Sequence, residues 1–135
     1  MCAFLFHKAL VFWTDIHISN SFNGMQWVKQ RANATGHPSV ATMNFRAVNS
    51  PTVNAAALSL SKFGVTVVAS AGNDNVNAFE YSPANEPSAI TVGASTIADA
   101  KADFSNYGDD VDVYAPGAQE LISRSPNYLT FSLRS

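Results

Sequence analysis

Residues 39–70 carry two apolar runs around a single helix-start signal, and that order restricts the fold more than any other feature of the chain. "SVATMNF", Ser39 to Phe45, reads as a buried strand. Ser50-Pro51 then sets a capping hydroxyl before a proline, whose missing N–H is no loss at the first helical position. Val53, Ala56, Ala57, Leu60 and Phe63 follow at helical spacing and predict the buried stripe. Gly64 suits the left-handed turn after a helix. Val65, Thr66, Val67 and Val68 begin a second strand at once, read as apolar on both faces, the pattern of a parallel sheet covered by helices. Such a strand–helix–strand unit crosses over right-handedly. The expected class is α/β with a mostly parallel sheet.

The flanks fit that class. A helix is predicted from Phe22 to Thr35, capped by Asn20 or Ser21, with Met25, Val28 and Ala32 on one face and Gly36 and Pro38 as its stop. Beyond the second strand come a loop around "YSPANEPS", a short strand "AITVG" at Ala89 to Gly93, and a turn at Asn106 to Asp109. A last strand near Val111 to Ala115 breaks at Pro116-Gly117.

The end of the second strand, "VTVVASAGNDN", is where chemistry is expected. Ser70, Ala71 and Gly72 shrink the side chains so that another backbone or a ligand can come close. Asn73 follows with an amide able to donate two hydrogen bonds. Open parallel sheets bind their ligands outside the carboxyl ends of the strands. On residue type alone Asn73 reads first as a turn former.

Composition narrows the classes. A length of 135 residues allows one domain, and 47% hydrophobic against 13% charged residues makes it globular rather than disordered. A net charge of -2 gives no electrostatic reason to expect nucleic acid or an anionic membrane as partner. Cys2 is the only cysteine, so no disulfide closes within these residues. The opening "MCAFLFHKALVFW" is interrupted by His7 and Lys8 and is too short to span a bilayer. It lacks the basic start and small-residue cleavage site of a secretory signal, and localisation stays open.

"ASAGNDN", "YSPANEPSAITVGAS", "FSNYG" and "VDVYAPG" follow one another in the order and spacing of subtilisin-like serine proteases, and the chain most resembles their proteinase K branch. The resemblance covers residues 19–118, leaving 1–18 and 119–135 as unmatched segments. It implies part of a three-layer subtilisin-like fold with helices flanking the sheet. It also implies peptide or protein substrates, cleaved through an acyl-enzyme, and makes Asn73 the side-chain donor of the oxyanion hole. A preorganised amide N–H there stabilises the charge on the attacked carbonyl oxygen more in the transition state than in the ground state.

The departures from the family are as informative. The mechanism requires a Ser nucleophile, a His base and an Asp that orients the His. None of the family's triad signatures occurs within the 135 residues. Asp15 lies in "WTDIH", and His7, His17 and His37 all lack the Gly-Thr that follows the family's base. The chain alone is therefore expected to be inactive, with a non-catalytic peptide- or protein-binding remnant as the alternative. In the resemblance, Asn44, Phe45 and Arg46 take the place of the substrate-pairing strand end, and Ser70, Ala71 and Gly72 that of the opposite wall. Arg46 replaces a family glycine, setting a long cation where close backbone approach is needed.

The resemblance implies a structural calcium ion on the carbonyl oxygens of Pro87 and Ala89 and the carboxylate of Asp112. Hard oxygen donors of this kind suit Ca²⁺. No cofactor is required for catalysis in the family. "NAT" at Asn33 matches a glycosylation acceptor, meaningful only in a secreted chain. The family counterpart of Tyr81-Ser82-Pro83 contains a cis peptide bond, whereas sequence alone favours trans.

Overall fold

The computed structural model describes residues 2–5, 8–11 and 18–118, with side-chain surroundings from residue 21 onward. His7, Asp15 and His17 and the tail 119–135 lie outside the described residues. A six-stranded sheet forms the frame, in the order β2-β1-β3-β5-β7-β8. Its strands are β1 (Cys2–Leu5), β2 (Lys8–Val11), β3 (Ser39–Met43), β5 (Val65–Ser70), β7 (Ala89–Ser95) and β8 (Val113–Pro116). β3, β5, β7 and β8 pair in parallel, whereas β1 pairs antiparallel with β2 and β3. A two-stranded ribbon joins β4 (Ala47–Val48) to β6 (Tyr81–Ser82).

The two helices form because their ends and faces are specified locally. α2 (Pro51–Lys62) is capped by Ser50, whose backbone is extended and whose hydroxyl accepts the N–H of Val53. Gly64, at φ +91°, turns the chain straight into β5. α1 (Ile18–Thr35) starts four residues before its predicted first residue Phe22, and it ends where Gly36 takes φ +65°.

Met25, Val28 and Ala32 of α1 join Val53, Ala56, Ala57 and Leu60 of α2 in one core, closed by Ala41, Met43, Val65, Val67 and Ala69 of the sheet. Removing a side chain such as Leu60, Val53 or Val67 from water contributes about 1.5–3 kcal/mol each.

Two expectations about burial change. Phe63, assigned to the buried stripe, is 42% exposed, because the helix ends before it and its ring lies under the Lys29 ammonium. β5 is buried on one face only. Val65, Val67 and Ala69 point into the core while Thr66 is exposed and Val68 half-buried, since both described helices pack on the core side. The Ser82-Pro83 bond is cis. No described helix is long and apolar enough to cross a membrane.

Candidate active site

β5 delivers its carboxyl end to the site. Ser70 pairs with Val92 of β7, and the Ala71 N–H donates to the Val92 carbonyl at 2.9 Å before the chain leaves the sheet. Gly72 then takes φ +106°, a conformation open to glycine at little cost. Asn73 follows as an exposed residue at the tip of the turn.

The turn is held from beneath by Asn106, which is fully buried. Its Nδ2 donates to the Ala71 carbonyl at 2.8 Å, and its Oδ1 accepts the N–H groups of Asp74 (3.0 Å) and Val76 (3.2 Å). Its own N–H donates to the Gly72 carbonyl at 3.0 Å. Four hydrogen bonds from one residue thus bracket Asn73 on both sides. The bracket continues along the same two segments: Asn75 N–H donates to Phe104 O (2.9 Å), Tyr107 N–H to Val76 O (3.1 Å) and Ala78 N–H to Tyr107 O (2.8 Å). The Lys101 ammonium closes it, donating to Asn75 Oδ1 and to the carbonyls of Ala102 and Ser105.

The opposite wall departs from a simple strand end. Asn44 and Arg46 are exposed, but the Phe45 side chain is buried in the main core, so only its backbone can face a ligand. Residues 44–46 lie outside any strand, and the chain then turns away to pair Ala47 and Val48 with Ser82 and Tyr81. Arg46 reaches across from this wall. Its guanidinium forms an ion pair with Asp74, next to Asn73, and lies 4.8 Å from the centre of the Tyr81 ring. The structure therefore brings Arg46 to the turn carrying Ser70, Ala71, Gly72 and Asn73.

Of the remaining predicted residues, Ala89 is the first residue of β7, Pro87 lies two residues before it, and Asp112 directly precedes β8, level with Thr91 of β7 and, through it, with Ala69 of β5. Pro87 and Asp112 are exposed, and Ala89 opens β7 as a buried residue. The Asp112 carboxylate accepts the Thr91 N–H at 2.7 Å through Oδ2, while the Asp112 N–H donates to the Thr91 carbonyl. No group of three His, Cys, Asp or Glu able to hold a metal occurs among the described residues. The donors that the resemblance implies, two carbonyl oxygens and one carboxylate, are hard oxygen ligands of the kind that calcium takes.

The sequence profile of the Subtilase family matches residues 16–133. The chain belongs to the subtilase family. It is 52% identical over 95 residues to subtilisin-like protease 7 of Trichophyton equinum, a match covering 70% of this chain and 24% of that protein. It is 42% identical over 122 residues to subtilisin-like protease 6 of Trichophyton soudanense, covering 85% of this chain and 29% of the relative. This subtilase chain therefore spans about a quarter of the length of these relatives. Its fold matches the crystal structure of a cold-adapted subtilisin-like serine proteinase with a TM-score of 0.74 and 38% identity, over 78% of this chain and 37% of that one.

Within this subtilase framework, sequence reasoning missed Asn106, Lys101 and Asp74. "FSNYG" contains Asn106, but an asparagine between Ser and Tyr-Gly carries the same signal whether it turns the chain or braces a distant one. Asp74 was legible only as one more polar residue after the small ones. Its role follows from Arg46, which the fold alone brings near.

Proposed function

We propose that this chain is the central portion of a subtilisin-like serine endopeptidase, with Asn73 as the side-chain donor that stabilises the oxyanion. The observation that carries the proposal is the position of Asn73, exposed at the carboxyl end of β5 on a turn braced by Asn106. Attack on a peptide carbonyl places negative charge on its oxygen. A donor already fixed in place lowers that barrier without reorganising during the reaction. Nucleophile, base and orienting carboxylate come from triad signatures that these 135 residues do not contain. The chain alone is accordingly proposed to be inactive, its substrates being peptides or proteins only in a protein with the complete triad.

The test is a complete subtilase carrying residues 39–118 of this chain in place of its own segment. Asn73→Ala should lower kcat by about 10²–10³ with little change in KM, a magnitude adopted from subtilisin itself rather than derived for this chain. An unchanged kcat would remove Asn73 from this role.

Binding without turnover is the second reading, and the Arg46–Asp74 ion pair favours it because it spans the two walls of the proposed cleft. Peptide binding to a chimera that turns over no substrate, despite an intact triad, would establish it. In either reading Pro87, Ala89 and Asp112 are proposed to hold a structural calcium ion, which would tie the start of β7 to the segment before β8. Support comes from the oxygen donor set and from Asp112, which commits one carboxylate oxygen to Thr91.

A further inference from the structure

We infer that Asn106 is the positioning residue of the oxyanion donor: it fixes the turn 71–76 so that the Asn73 amide meets the developing charge without first becoming ordered. The inference rests on the proposed role of Asn73 and adds a residue that touches no substrate.

Three observations carry it. Asn106 has no exposed surface, yet its side chain spends its hydrogen-bonding capacity on the backbone of the turn rather than on its own segment. The bonds fall on both sides of Asn73, at Ala71 before it and at Asp74 and Val76 after it. Carbonyl oxygen and amide nitrogen take opposite partners, two N–H donors on Oδ1 and one carbonyl on Nδ2, so the orientation of the side chain is dictated. Gly72 completes the fit. A Cβ built on it would lie 2.5 Å from Asn106 Nδ2, so the backbone approaches the amide as closely as a residue without a side chain permits.

The consequence is energetic. Displacing the turn would orphan the buried Asn106 amide, and a buried polar group left without partners is destabilising. The turn and the amide therefore hold each other. An oxyanion donor displaced by about 1 Å can lose up to about 10²-fold in rate, and Asn106 resists that displacement.

The experiment uses the chimera described above, with its triad intact. Asn106→Ala is expected to lower kcat by about 10- to 10²-fold while KM stays nearly constant. The amides of Asp74 and Val76 should exchange with solvent faster, and those of Val67 and Thr91 should not. Adding Asn106→Ala to Asn73→Ala should cost nothing further, because the bracing residue acts only through the donor. Should Asn106→Ala fail to fold, Asn106→Asp keeps the volume and the Oδ1 acceptor while turning the bond to the Ala71 carbonyl repulsive, and it should give the same kcat loss. An unchanged kcat in the folded variant, or independent losses that add, would overturn the inference. If Asn73→Ala alone costs nothing while the local exchange still rises in Asn106→Ala, the fault lies in the role given to Asn73. The catalytic consequence of the bracing then falls with it.

Discussion

Gly72 has no room for a side chain because Asn106 fills the space a Cβ would take, at 2.5 Å from its Nδ2. Asn106 is itself immobilised by its bonds to Ala71, Asp74 and Val76. Gly72→Ala therefore meets two obstacles, a positive φ of 106° and a buried neighbour that cannot retreat without losing hydrogen bonds. The substitution is expected to cost more than about 1 kcal/mol. A denaturant titration checks it, and a variant as stable as the parent would mean that the turn relaxes freely.

Arg46 and Asp74 are 44% and 38% exposed, so their ion pair is a surface interaction in spite of the Tyr81 ring beside it. Arg46→Ala should change stability by less than about 1 kcal/mol. Its effect should be on access. In a catalytically complete chimera, Arg46→Gly is expected to lower KM for peptide substrates, because it removes the link between the two walls of the proposed cleft. A KM unchanged by the substitution would show that the pair opens at no cost during binding.

Calcium should act through the corner formed by β7 and the segment before β8. If Pro87, Ala89 and Asp112 hold the ion, it binds the folded state and raises Tm by mass action. Asp112→Ala also removes the acceptor of the Thr91 N–H, so its Tm without calcium should already be lower. The informative quantity is the calcium-dependent increment, measured by calorimetry in each protein. It should vanish in Asp112→Ala, and an equal increment in both would locate the ion elsewhere.

The parts of this fold that were legible in the sequence are those governed by near neighbours. Ser50-Pro51 specified the start of α2, and the spacing of Val53, Ala56, Ala57 and Leu60 specified its buried face. Gly36 and Gly64 marked turns whose positive φ angles the structure contains. Thr66 and Phe63 were misjudged because their burial depends on which layer covers them, and periodicity does not report that. The turn after β5 was legible in its small residues, Gly72 among them with its positive φ. It was not legible in Asn106 or in the Arg46–Asp74 pair, where residues remote in sequence meet only once the parallel sheet has formed. A buried bracing asparagine and an exposed turn asparagine are written with the same letter.

The central claim is that these 135 residues contribute an oxyanion donor and part of a substrate cleft but neither nucleophile nor base. Covalent labelling by a serine-directed fluorophosphonate tests it most directly, because labelling requires an activated serine. The bare chain is expected to remain unlabelled, with no measurable amidase activity, while the chimera with an intact triad is labelled at its own nucleophile. Stoichiometric labelling of the bare chain at one defined serine would contradict the claim, since it would require a catalytic base within these residues.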